Sequence, residues 1–490
     1  MKRLIATIVL LLLSTSLSAQ SNIYSSWTNF PQSPNFFPLV LWAQNPSWAM
    51  GSGSPYSSIP LAMVGTKMNI LLTIDYSGAG AGGGSLYPVT CGADTNGYIN
   101  SVVSHGIYLV ANTDGTNSSS NPGSIYCLKQ SLANLSASQY LVGYNMGDEP
   151  TCTVMGTLPA TVSTVQSYDT TRPIFWNFTD WVFSHGSCYP PSSPVNASAL
   201  KGISIGSFDV YPLTGAWNGS LPGTPQDSMW IQGWSVAQFV ALGRSRQPMW
   251  TFVDTGTNEL GYSSQNGNTC NASTNLCTPN NNEYRATAEQ VNAEVWMGLI
   301  NGAMGVEYFC DDSDAYNFCL GSTTGGEAAV AAAIASNLTY IDTTILNYAP
   351  QLNSPVLGAC TMNTGTSYSN YTTSCSNGML TMSTGTSTVP GSAIVKTYNG
   401  SLYLFADTDR NGSATMTFTL SGYAGQKATV IYDSNAQYDP AHSSVGATFT
   451  LNSSGQFSDS FGANGHNYQP KVYRIAGGPA PPTGLAATVQ

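Results

Sequence analysis

The chain has 490 residues, of which 8% are charged and 42% hydrophobic, and its 14 basic residues face 25 acidic ones for a net charge of −11. Charged residues make up roughly a quarter of an ordinary soluble chain, so this surface must be polar through Ser, Thr, Asn and Gly. A coiled coil, a charge-rich disordered tail and a Lys/Arg-driven nucleic-acid binder are excluded. The acidic balance also argues against nucleic acid and acidic membrane surfaces as partners.

The first segment reads as a leader rather than as fold. Lys2 and Arg3 precede an apolar run over 4–13, and Ser16-Leu17-Ser18-Ala19 supplies small residues for cleavage. This pattern predicts a bacterial secretory signal over 1–20 and a secreted, extracellular or periplasmic protein. The run is far short of the ~20 residues that a membrane span needs. All ten cysteines follow it: Cys91, Cys127, Cys152, Cys188, Cys270, Cys277, Cys310, Cys319, Cys360 and Cys375. An even number in a secreted chain predicts disulfides. Pairing of consecutive cysteines would close five short loops, although sequence alone leaves the connectivity open. Zinc is not expected, because there is no CxxC and His105, His185, His442 and His466 are scattered.

From residue 37 to about 350 one theme recurs: a short β-rich apolar run, a polar or acidic residue, a loop and a helix-like stretch. The runs are 38–43, 70–74, 107–111, 140–144, 173–176, 203–207, 249–253 and 304–309, with helices predicted between them at 287–299 and 327–346. Continuous apolar runs, rather than alternating ones, mark strands covered on both faces. Eight such units predict an α/β TIM (β/α)8 barrel over 21–350. A doubly wound open sheet is the alternative, but no GxGxxG follows an early strand. Beyond Pro350 the pattern alternates. The run 393–398, Asn399-Gly400 and the run 402–405 predict a hairpin, and 351–476 reads as an all-β sandwich. The Pro/Gly-rich 477–490 resembles a linker into a fibronectin type III-like module.

With so few acids, their positions are informative. Asp75, Asp114, Asp148, Glu149, Asp209, Asp254, Asp311 and Asp312 fall at or just beyond the C-terminal ends of the predicted strands. Those ends form the face on which a barrel builds its active site. A single Asp there is commonly a helix cap or a turn residue. Six strands doing the same is not explained that way. Aromatic residues accompany them: Trp42, Tyr76, Trp176, Tyr211, Trp250 and Tyr308 lie on or beside strand ends, where flat rings suit the C–H faces of sugars. Barrel core is the competing role for each. Trp181, Trp217 and Trp230, in loop-like stretches, would line outer subsites or cover the core.

The stretch Gly143-Tyr144-Asn145-Met146-Gly147-Asp148-Glu149-Pro150, ending strand four, resembles the (β/α)8 glycoside hydrolase clan that includes family 5 cellulases and family 42 β-galactosidases. In that clan the acid/base Glu ends strand four in an Asn-Glu-Pro motif, and the nucleophile Glu ends strand seven. The resemblance makes Glu149 the acid/base. Thr251-Phe252-Val253-Asp254-Thr255-Gly256 is similar to the nucleophile segment, with Asp254 in the Glu position. Asp209-Val210-Tyr211-Pro212, the stretch 294–309 and the all-β end are similar to further parts of such enzymes, so the likeness spans most of 37–475. Two departures stand out. Asp148 replaces the Asn that contacts the sugar, and Asp254 is one methylene short, withdrawing its carboxylate by about 1.5 Å.

A glycosidase needs one carboxyl held protonated to donate to the leaving oxygen and another ionised to attack or to activate water. Separations of about 5–5.5 Å favour retention and about 6.5–9.5 Å inversion, so the outcome stays open here. Asp148 beside Glu149 would raise the latter's pKa, which suits an acid. Glu259 is the reserve carboxylate. No GxSxG elbow and no P-loop occur. The expectation is a secreted, monomeric glycoside hydrolase of neutral, β-linked polysaccharide or oligosaccharide, with no cofactor, metal, nucleic acid or membrane partner. Glu149 and Asp254 are its catalytic pair, with Trp42, Tyr76, Asp148, Trp176, Asp209, Tyr211, Trp250 and Tyr308 on the substrate. The alternative is a carbohydrate-binding or adhesion protein on the same scaffold, without activity.

Overall fold

The computed structural model describes residues 23–43, 58–73, 102–112, 138–148, 152–179, 202–210, 212, 229–241, 247–255, 269–271, 276–278, 288–309, 328–363, 371–385, 388–410, 412–462 and 468–476. Eight parallel strands close into a barrel: β1 (Leu39–Ala43), β2 (Ile70–Thr73), β3 (Tyr108–Asn112), β4 (Leu141–Asn145), β5 (Ile174–Thr179), β6 (Ile205–Asp209), β7 (Met249–Asp254) and β10 (Gly305–Phe309). A short antiparallel ribbon, β8 (Thr269–Asn271) with β9 (Leu276–Thr278), separates the last two. Every predicted run holds one barrel strand. The helices α1 (Ser58–Thr66), α2 (Cys152–Tyr168), α3 (Trp230–Ala241), α4 (Ala288–Ile300) and α5 (Ala328–Leu352) follow in chain order. The two helices predicted from sequence are α4 and α5, the second running on to Leu352.

Because side chains alternate along a strand, each barrel strand divides its residues between two apolar clusters. Val40, Ile70, Leu72, Val110, Val142, Phe175, Ile205, Trp250, Phe252 and Phe309 fill the barrel interior. Leu41, Leu71, Leu109, Trp176, Phe178, Phe208, Val253, Val306 and Tyr308 face the helices. The N-terminal end of the interior is plugged by the segment before β1. Tyr24 stacks on Phe30 with ring centroids 4.3 Å apart, donates to the Met304 carbonyl at 2.7 Å and accepts from Trp250 Nε1 at 3.0 Å. Gly305 makes room for that indole, since a Cβ there would lie 2.4 Å from Trp250.

After α5 the chain forms two antiparallel sheets, the sandwich expected from the alternating pattern. One has the order β11 (Val356–Thr361), β14 (Gly391–Tyr398), β15 (Ser401–Thr408), β20 (Lys471–Ile475), β17 (Lys427–Asp433) and β18 (Thr448–Thr450). The other has β12 (Ser374–Asn377), β13 (Leu380–Thr384), β16 (Ala414–Leu420) and β19 (Gln456–Phe461). The Asn399-Gly400 hairpin forms as predicted, with φ of 47° and 72° and Tyr398 paired to Ser401. Both central residues at positive φ make the turn whose twist suits a two-residue hairpin. Cys360–Cys375 bonds β11 to β12, one consecutive pair of the expected series. Cys270 and Cys277 sit opposite each other in the β8–β9 ribbon. The remaining expected pairs, and the leader and the fibronectin-like end, lie outside the described residues.

Barrel and sandwich share one core. Trp296 of α4 stacks on Tyr432 at 4.9 Å and on Phe405 at 6.2 Å, with Tyr348 of α5 edge-on to it. The buried Lys396 ammonium of β14 donates to the carbonyl of Leu352, the last residue of α5. A cation there complements the negative end of the helix dipole.

Candidate active site

The C-terminal end of the barrel interior is built differently from its floor. The alternation that brings Phe175 and Ile205 inward brings Asn177, Ser207, Asp209 and Glu307 inward as well, one or two positions further along. All four are buried. Asn177 donates from Nδ2 to Asp148 Oδ1 at 2.8 Å, and Ser207 donates from Oγ to Asn177 Oδ1 at 2.6 Å. The Glu307 carboxyl lies near the Ser207 hydroxyl, fully buried, and among the described residues neither of its oxygens has a hydrogen-bond partner. Burial pushes its pKa well above the usual carboxylate range; the Ser207 hydroxyl offsets part of this and the negative charge of Asp148 adds to it.

The turn that delivers the strand-four motif is fixed by backbone. Gly147 has φ of 139°, a region that side chains with a Cβ avoid. Its amide donates to Asn145 Oδ1 at 3.0 Å, and its carbonyl accepts from the Asn177 amide at 3.3 Å. Asn177 therefore grips the segment twice, once through its backbone and once through its side chain on Asp148. Asp148, three residues beyond the end of β4, is half-buried. Asp209 ends β6, paired with Thr179, and is buried. Asp254 ends β7, paired with Phe309. These three acids thus stand at one end of one barrel. Glu149, Tyr76, Tyr211 and Glu259 lie outside the described residues, as do Asp75, Asp114, Asp311, Asp312, Trp181 and Trp217.

The aromatic expectations need correction in three cases. Trp176 is in mid-strand, because β5 runs on to Thr179, and its ring packs outward against the helices. Tyr308 is adjacent to inward-facing Glu307 and so faces outward, donating to Asp342 Oδ1 of α5 at 2.5 Å. Trp250 faces inward but at the start of β7, where it forms the floor with Tyr24. None of these three rings is placed to meet a ligand at the C-terminal end. Trp42 does face the interior near that end, 5.2 Å from Phe252 and 1% exposed, and among the described residues its indole N–H has no partner. Trp230 opens α3 rather than a loop. Buried, with the Arg410 guanidinium 5.6 Å over its ring, it covers the core.

The sequence reading missed Asn177, Ser207 and Glu307. The signal for Glu307 was present: an acid in the centre of the apolar run 304–309 is costly to bury without a partner.

No family model matches the chain, and no curated protein matches it. A glycoside hydrolase of family 5 from Bacteroides vulgatus aligns over 90% of this chain and 89% of its own, with a TM-score of 0.50 and 11% identity. This chain thus shares its fold, a closed (β/α)8 barrel followed by antiparallel β-sheets, with that hydrolase. An α-amylase from Anoxybacillus aligns over 92% of this chain and 100% of its own at 8% identity and a TM-score of 0.48. A family 30 endoxylanase from Clostridium papyrosolvens aligns over 90% and 97% at 10% identity and a TM-score of 0.40.

Proposed function

We propose that this chain is a secreted glycoside hydrolase that cleaves β-linked neutral polysaccharide or its oligosaccharides. The supporting observation is that the barrel interior, apolar at its floor, turns Asn177, Ser207, Asp209 and Glu307 inward toward the end where Asp148 and Asp254 also stand, beside the rings of Trp42 and Phe309. Glu149, next to Asp148, is the general acid that protonates the leaving oxygen. Asp254 is the second carboxylate, and Asp209 and Trp42 help to hold the sugar. A neutral substrate fits a chain whose described interior brings acids and no cation to the site.

The test is reducing-sugar release from a panel of neutral polysaccharides by wild type and Glu149→Gln, with folding followed by thermal melting. Loss of general acid catalysis lowers the rate by about 10²–10⁴-fold, and that fall, with the melt unchanged, is the expected result. Equal activity in both proteins rejects Glu149. Glycan binding without release of reducing ends by the wild type assigns the chain instead to carbohydrate binding.

A further inference from the structure

We propose that the sandwich holds a calcium ion between Asp407 and Asp409, with Asn363, where β11, β14 and β15 meet the barrel. This site lies apart from the candidate active site and does not rest on the glycosidase reading. Residues of β15 alternate between two apolar clusters. Leu402, Leu404 and Ala406 face the other sheet, and Tyr403 and Phe405 face the barrel. Asp407 continues the second series. Its register partner on β14 is Ser392, which donates from Oγ to Asp409 Oδ2 at 3.1 Å. The strand and the turn after it thus bring both carboxyl groups to one serine. Asn363, two residues past β11, joins them by donating from Nδ2 to Asp409 Oδ2 at 2.6 Å.

Four oxygens of this corner have no hydrogen-bond partner among the described residues: both of Asp407, Oδ1 of Asp409 and Oδ1 of Asn363. The three residues are 1%, 0% and 3% exposed. No described Lys, Arg or His forms an ion pair with either aspartate. Arg410, next in sequence, places its guanidinium over the rings of Tyr371 and Trp230, 4.6 and 5.6 Å from their centroids. Burial pushes the Asp407 carboxyl above the usual range; the Asp409 charge adds to this and the Ser392 amide offsets part. Two acids in a dry corner are costly to keep, and buried polar atoms in native proteins are seldom left without a partner.

A divalent cation answers both points, because it balances two carboxylates and engages oxygens that no donor reaches. Oxygen ligands without His or Cys select a hard ion over zinc or copper. Calcium takes about six to eight oxygens in a flexible shell, which water completes here, whereas magnesium demands a near-ideal octahedron. No group of three or more His, Cys, Asp and Glu occurs among the described residues. A site with only two charged ligands belongs at the weak end of calcium affinity, about 10⁻⁴–10⁻³ M, as in extracellular modules. The ion would fasten the loop closed by Cys360–Cys375, which carries Asn363 and Tyr371, to the end of β15.

Thermal melting and titration calorimetry of the full chain, first stripped with EGTA, test this. Calcium chloride at about 10 mM should raise the wild-type melting temperature by about 3 °C, with one saturable site. Magnesium chloride at the same concentration should do less. Asp407→Asn should lose both the shift and the binding heat. Should that variant not fold, Asn363→Asp decides. It exchanges the donor to Asp409 for a third carboxylate, so it should melt below wild type in EGTA and gain more from calcium. Four results overturn the proposal: no saturable binding by wild type, an equal response to magnesium, a calcium shift that survives in Asp407→Asn, or no extra gain in Asn363→Asp. A proton shared by the two aspartates would then be what offsets their burial.

Discussion

Two buried carboxyl groups, Asp169 at the N-terminal end of the barrel and Glu307 in the middle of β10 inside it, are treated in opposite ways. Asp169 follows α2 and is saturated with donors. Its Oδ2 accepts from Tyr144 and from Arg172, each at 2.7 Å, and its Oδ1 from the Thr171 hydroxyl at 2.6 Å and amide at 2.9 Å. Arg172 also binds the Leu141 carbonyl at 2.6 Å, and Asn29 reaches Thr171 at 2.6 Å, so the network ties β4, β5 and the N-terminal plug together. Among the described residues Glu307 has no cation beside it and no hydrogen bond to its oxygens. A satisfied buried acid holds structure in place, whereas one left unsatisfied is kept at a cost to folding and marks the end of the barrel where chemistry is expected.

Substitution should separate the two most sharply. Arg172→Ala takes the cation away from buried Asp169 and should lower stability by about 3–5 kcal/mol, read as the urea midpoint at constant slope. Glu307→Gln keeps the shape of a side chain whose charge burial disfavours and should stay within about 1 kcal/mol of wild type at neutral pH. Equal losses in both would erase the distinction.

The pH dependences should also have opposite signs. Burial alone would raise the pKa of Asp169, but the hydroxyl and amide of Thr171, the Tyr144 hydroxyl and Arg172 outweigh it and hold the carboxyl well below the usual range. Its folded pKa is below its unfolded one, so the stability it provides is present at neutral pH and is lost as pH falls below the ordinary Asp range. Glu307 is raised by burial, so the folded state binds the extra proton and its contribution declines as pH climbs above the ordinary Glu range. Unfolding midpoints from pH 3 to 9 should therefore lose their acid-side slope in Asp169→Asn and part of their alkaline-side decline in Glu307→Gln.

The smallest effect concerns Lys396, whose pKa burial lowers to about 7. Its folded pKa is below the unfolded value, so stability rises between about pH 7 and 10 as the unfolded chain gives up its extra proton. Lys396→Met should flatten that rise, with a net change of about 1 kcal/mol at neutral pH as the lost bond to Leu352 offsets relief of the buried charge. A melt that stays pH-dependent in that window would place the titration elsewhere.

The strands were legible because both of their faces are buried, and the same fact hid the site. Runs such as 304–309 announce a strand by unbroken apolarity and conceal which side each residue faces. Once Glu307 is placed inward, Tyr308 must face out, yet nothing in the run fixes that choice beforehand. In β5 the run stops being apolar at Asn177, so the strand was read as ending at Trp176. That polar residue is in fact a strand position turned toward the site. Trp250 was read with the correct face and the wrong end, since a ring near the start of a strand packs into the floor. The hairpin at Asn399-Gly400 was readable because its backbone geometry depends on those two residues alone.

The stack of Trp296 on Tyr432 and Phe405 has a consequence for how such a protein can be inherited. Its barrel helices and its sandwich sheet each expose, without the other, a face rich in aromatic rings. Neither half is a self-sufficient cassette, so gene rearrangements that exchange one without the other would yield an insoluble product. The pair should travel through evolution as a single unit.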